Sequence, residues 1–257
     1  MPSLPVLVLL MLAALLAGFI DAVVGGGGLI TVPALMLGLP AGTPLPTLLG
    51  TNKAVAVTGT TLAAGTFLRS GALAWRELVG PVLASALGAS VGVWLTYRVH
   101  GDFLKPMLLV LLVAMLVFTL LKPELGSLHA PRFGLHHQRG LAALIALALG
   151  FYDGFFGPGT GSLLIFLFVS VLGFDFLRAS ALAKGVNWAS NLTSMVLFVS
   201  RGSWIPGVAV GMAAANGVGG YLGAHVAVNR GSGWVRGLFI AVVGALILRL
   251  GWQLLVP

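Results

Sequence analysis

Apolar runs separated by short polar breaks divide the chain into two sets of four. The first set covers about 4–24 with a continuation to 37, then about 47–69, 77–97 and 103–121. The second covers about 140–156 with a continuation to 172, then 176–200, 204–227 and 234–255. Each run approaches the roughly 20 residues that a helix needs to cross the hydrocarbon of a bilayer. The pattern predicts an all-α polytopic membrane protein with an N-terminal repeat over 1–121 and a C-terminal repeat over 140–257. Between them the most polar interval, 122–139 (KPELGSLHAPRFGLHHQR), predicts a linker. The first run is signal-like, but it lacks a basic leader and passes directly into a glycine break, so it predicts a retained helix.

The first run of each set carries a break of its own. GFIDAVVGGGGLITVP (18–33) and GFYDGFFGPGTGSLLIF (150–166) each place an aspartate before a glycine-rich interruption. At one spacing, Gly18, Phe19, Asp21, Gly25 and Gly27 fall on Gly150, Phe151, Asp153, Gly157 and Gly159. One residue shorter, Lys53, Phe67, Gly71, Gly80, Gly88 and Gly92 fall on Lys184, Phe198, Gly202, Gly211, Gly219 and Gly223. With four Asp and four Lys in the whole chain, the paired charges mark a sequence repeat rather than a repeat of hydropathy alone. The GxxxG steps at Gly88–Gly92 and Gly219–Gly223 read as close helix packing.

Parity decides how the halves are related. If the first segment of each half turns back at its glycines, each half crosses three times and the halves are inverted. One side then collects Arg69, Arg76, Lys122, Arg132, Arg139, Arg178, Arg230 and Arg236, leaving Arg98, Lys105, Arg201 and Arg249 opposite. The parallel alternative separates the same charges less well. The positive-inside rule thus favours two inverted-topology repeats of four helical segments, the first of each broken at a re-entrant turn, with the linker cytoplasmic and both termini outside.

Composition agrees with the membrane reading. Apolar residues make up 58% and charged residues 8%, with a mean hydropathy of +1.06. The net charge of +8 is scattered between apolar runs and forms no patch for nucleic acid. The absence of cysteine removes disulfides, thiol nucleophiles and Cys-based metal sites. The five histidines (100, 129, 136, 137 and 225) have no metal spacing, and two Glu do not build a carboxylate enzyme site. Neither enzyme, metal nor cofactor is expected.

Broken backbone is tolerated inside a bilayer where protein or a wet cavity satisfies its polar groups. The N-terminus of the helix after such a break offers free amides and a positive dipole end to an anion. Gly25, Gly26, Gly27 and Gly28 in one half, and Gly157, Gly159, Thr160 and Gly161 in the other, are therefore candidate substrate contacts. The alternative is a tightly packed kink with no ligand. The next helix of each half adds charge: Lys184, Asn187, Asn191 and Ser194 form one helical stripe, and Asn52 and Lys53 stand at the counterpart.

A lysine at mid-helix costs about 2.5–3.5 kcal/mol on insertion scales. Three arrangements would offset it: a bound anion, an ion pair with Asp21 or Asp153, or snorkelling to an interface. The two aspartates lie near the negative end of their half-helices. They are candidates for proton coupling, or for bonding the broken backbone as neutral or Lys-paired groups. Asn216 and Tyr152 are further candidates for the pathway.

The GFIDAVVGGGG and GFYDGFFGPGTG motifs, GTNKA with ALAKGVNWASN, and the RSGALAW and SRGSW turns together resemble the TauE/SafE family of sulfite and organosulfonate exporters. The resemblance runs from about Ala14 to Trp252. It implies a multi-pass protein of the bacterial or archaeal cytoplasmic (inner) membrane, surrounded by lipid, that exports small sulfur oxyanions such as sulfite or sulfoacetate. It puts the anion at the glycine breaks, Lys53 and Lys184. Ala183 stands where the first half has Asn52, so the half-sites differ. The alternative is an anion channel or a transporter of a different small organic or inorganic anion; the chain is expected as a monomer or a homodimer.

Overall fold

The computed structural model describes residues 2–40, 42–98, 113 and 130–255. The apolar run at 103–121, apart from Val113, and linker residues 122–129 lie outside the described residues, as do His100 and His129. The elements are α1 (Leu4–Val24), α2 (Gly28–Gly38), α3 (Leu45–Arg69), α4 (Trp75–Thr96), α5 (Leu135–Phe155), α6 (Thr160–Ser170), α7 (Phe176–Ser200) and α8 (Pro206–Leu255). Helix α8 is interrupted at Gly231, whose φ is +74°, so it accounts for both of the last two apolar runs. Helix α5 begins at Leu135, ahead of its apolar run, because a polar first turn capped by Gly134 precedes the apolar stretch.

Both glycine breaks stop a helix and start another. Gly25 and Gly26 have φ of +74° and +92°, and Gly157 and Gly159 have φ of +98° and +83°. That left-handed region is open to glycine and strained for other residues. Helix α2 then folds back along α1, so that Gly38 packs on Leu10. In the other half, α6 returns to the chain just ahead of α5: Ala130 N donates to Gly173 O at 2.9 Å and Arg132 N to Leu172 O at 3.2 Å.

Contacts between the halves fix the helix directions. Helices α3 and α7 run antiparallel, since Gly50 packs on Phe198, Lys53 bonds Asn191 and Trp188 bonds Thr61. Helix α8 runs parallel to α3, pairing Ala213 with Thr58 and Gly217 with Leu62. Helix α4 runs parallel to α7, pairing Glu77 with Arg178 and Ser85 with Val186. The GxxxG glycines pack within the chain: Gly88 and Gly92 meet Leu147, Phe151 and Phe155 of α5, and Gly219 and Gly223 meet Leu15, Phe19 and Ala22 of α1. Without a Cβ these helices approach backbone to backbone, which is how helices associate where solvent gives no hydrophobic drive.

The distribution of polarity is that of a membrane protein. Leu9, Leu12, Leu16, Leu83 and Leu87 face outward, while Lys53, Lys184, Asp153 and four asparagines are buried. Helices α1 and α4 are long and apolar enough to span a membrane by length and composition. Helices α3 and α7, each 25 residues, have the length, about 37 Å. Their buried polar stripes lower their hydropathy.

Candidate functional site

The two breaks meet tip to tip. A Cβ on Gly161 would lie 2.7 Å from Gly25 Cα, and one on Gly28 would lie 3.2 Å from Pro158 Cα. A helix that ends in a buried place leaves carbonyls without partners. At the end of α1 the second half supplies them: Ser162 Oγ donates to Val24 O at 2.9 Å and Ser180 Oγ to Val23 O at 3.1 Å. At the end of α5, Thr96 Oγ1 donates to Phe155 O at 2.8 Å, and the Tyr152 hydroxyl donates to Pro158 O at 2.7 Å.

Each lysine pairs with the aspartate of the opposite half. Lys53 Nζ lies 2.7 Å from Asp153 Oδ2, and Lys184 Nζ lies 2.7 Å from Asp21 Oδ2. At 1% and 0% exposure neither lysine snorkels. The surroundings of the two pairs differ. Lys184 also donates to the main-chain oxygen of Asp21, and Asp21 Oδ1 accepts from Gly27 N at 3.1 Å, so this pair grips both sides of the first break. Lys53 donates to Asn191 Oδ1 at 3.1 Å, whereas Asp153 Oδ2 is close enough for the ion pair but accepts no aligned hydrogen bond among the described residues.

Beside the Lys53–Asp153 pair is a polar cavity of about 30 Å³, room for one or two waters. The sequence candidates Gly26, Gly27, Gly28, Asn52, Lys53, Gly157, Gly159, Thr160, Gly161, Asn187 and Asn191 all line it, with Asp21 and Asp153. Gly25 and Lys184 lie behind the wall. Asn216, from α8, lines it; Tyr152 does not, and its hydroxyl is committed to the second break. Thr31 and Ala56 also line it and escaped the sequence reading: Thr31 lies one turn beyond the first break, and its hydroxyl bonds Asn52 Oδ1.

The cavity is rich in donors. The side-chain amides Asn52 Nδ2 and Asn187 Nδ2 have no partner among the described residues, although Asn52 Oδ1 and Asn187 Oδ1 both accept bonds. Two lysines and two aspartates leave the centre formally neutral.

Residues 10–250 match the family model described as sulfite exporter TauE/SafE. The chain belongs to the TauE/SafE family. A probable membrane transporter protein, ORF9, from Sinorhizobium sp is 37% identical to this TauE/SafE chain over 249 residues, 95% of this chain and 92% of that protein. A probable membrane transporter protein of Haemophilus influenzae is 37% identical over 234 residues, 91% of this chain and 90% of the relative. The probable membrane transporter protein YfcA of Escherichia coli K12 is 33% identical over 235 residues, 91% and 85% of the two chains. No solved structure is a significant match. The family and these relatives identify a membrane transporter, and none of their names describes an enzyme.

Proposed function

We propose that the protein is a secondary transporter of small sulfur oxyanions such as sulfite and organosulfonates, an exporter of the inner membrane coupled to protons. The observation that carries this reading is the polar cavity where two helix breaks, the Lys53–Asp153 pair and unpartnered amides converge. Amides, an ammonium and helix N-termini are the groups that replace water around an oxyanion.

Charge balance argues for the proton. The two lysines and two aspartates sum to zero, and adding one negative charge to a buried site is unfavourable unless a positive charge accompanies it. A proton on an aspartate supplies that charge and releases its lysine to the anion. Anion and proton then move together, and export follows when the anion accumulates inside.

The antiparallel course of α3 and α7, which carry the equivalent lysines, supports inverted-topology repeats. The fold-back of α2 and α6 supports re-entrant first segments. In this arrangement the linker is cytoplasmic and the termini are outside.

The test is flux of labelled sulfite and sulfoacetate in proteoliposomes with and without a pH gradient. Saturable flux that responds to the gradient supports the reading. Absence of flux for both substrates with folded protein removes the sulfur-oxyanion assignment.

A further inference from the structure

We infer that the two crossed ion pairs divide the work: Lys53–Asp153 opens to admit the anion and take the proton, while Lys184–Asp21 stays closed and holds the first break. The inference rests on the anion-transport reading and says which half of the duplicated centre performs it.

The pairs differ in how firmly they are held. Every polar group of the Lys184 pair is bound in place: the ammonium by the carboxylate and main-chain oxygen of Asp21, and the carboxylate also by Gly27 N. Opening it would release the turn that it anchors. The Lys53–Asp153 pair bonds Asn191 and no main-chain group among the described residues, so no turn is released when a proton on Asp153 replaces that contact.

They also differ in what stands ready to receive a ligand. Lys53 lines the cavity and Lys184 does not. The repeat spacing places Asn187 opposite Ala56, Asn191 opposite Thr60, and Asn52 opposite Ala183. All three asparagines line the cavity that holds Lys53. At the counterpart of Asn191, the Thr60 hydroxyl is turned back onto its own helix, bonding Ala56 O at 2.9 Å. Duplication supplied two lysines, and the amides gathered around one of them.

The titratable groups around Asp153 are Lys53 from α3, Asp21 from α1, Lys184 from α7 behind the wall, and its neighbour Tyr152. The cavity residues contributed by α2, α6 and α8 have none. One proton on Asp153 and one monovalent anion on Lys53 leave the centre as neutral as before.

The experiment is thermal unfolding of the purified protein with added sulfite, at acidic and alkaline pH, using chloride as the control anion. Wild type should be stabilised by sulfite at both pH values. Lys53→Met should lose that stabilisation. Lys184→Met should unfold at a lower temperature yet keep its sulfite response. If it does not fold, Lys184→Met with Asp21→Asn removes both charges and carries the same expectation.

Asp153→Asn leaves Lys53 without its counter-charge, so it should bind sulfite on the order of tenfold more tightly than wild type at alkaline pH, with the difference shrinking at acidic pH; comparison at the same pH cancels the ionisation of sulfite itself. Equal loss of the response in the Lys53 and Lys184 variants, or an Asp153→Asn response that differs from wild type equally at both pH values, overturns the division while the transport reading stands. No sulfite response in wild type overturns both.

Discussion

Lys53 and Asp153 are 100 residues apart in sequence, come from opposite halves of the chain, and meet at 2.7 Å inside the protein. Their mirror pair, Lys184 and Asp21, meets at the same distance. Two contacts across the same interface tie the halves into one centre, so neither half completes the site alone.

Breaking one member of a buried pair leaves a charge without compensation. Lys184→Met is expected to destabilise the protein by about 3–5 kcal/mol, and so is Asp21→Asn. The double variant should be less destabilised than the sum of the two. A double-mutant cycle on unfolding free energies checks this, and additive losses would mean that the pair is not coupled.

Two glycines at the breaks should resist alanine, and one elsewhere should accept it. Gly25→Ala must hold φ near +74° and would push its Cβ into Gly161; Gly161→Ala would press on Gly25 Cα. Each should lower stability by more than about 1 kcal/mol. Gly65, in α3, has open space around it and an ordinary helical φ, so Gly65→Ala should be neutral or stabilising by up to about 1 kcal/mol. Melting temperatures of the three variants decide the matter.

Ser162 and Ser180 satisfy carbonyls that α1 leaves open where it ends. Ser162→Ala and Ser180→Ala should each cost about 1–3 kcal/mol, the range for a buried acceptor without its donor. Hydrogen exchange should show faster opening around the first break. Unchanged protection there would indicate that other donors take over.

Because the chain has no cysteine, introduced pairs report cleanly on helix direction. Trp188 Nε1 donates to Thr61 Oγ1 at 3.0 Å, which brings α7 and α3 together in opposite senses. Thr61→Cys with Trp188→Cys should be joined by a short thiol cross-linker in membranes. Phe67→Cys with Phe198→Cys, each the twenty-third residue of its helix and close only if the two helices ran in the same sense, should not. The reverse outcome would require a parallel arrangement of these helices.

Much of the centre was legible in the sequence because its chemistry is expensive in a membrane. Lysines, aspartates and glycine runs inside apolar segments have few physical justifications, and their repetition one half later singled out the residues that line the cavity. The spans of α1, α3, α4, α7 and α8 followed from apolar length, and the breaks from glycine.

The sequence determined the repeat, the helices, their interruptions and the buried charges, all of which are properties of neighbouring residues. Tertiary structure decided which lysine faces which aspartate, that the pairs cross between halves, and that Thr31 and Asn216 join the cavity while Lys184 stands behind it. Helix periodicity says which residues share a stripe. It does not say which helix from the other half that stripe will face, and here the facing helices set the partners.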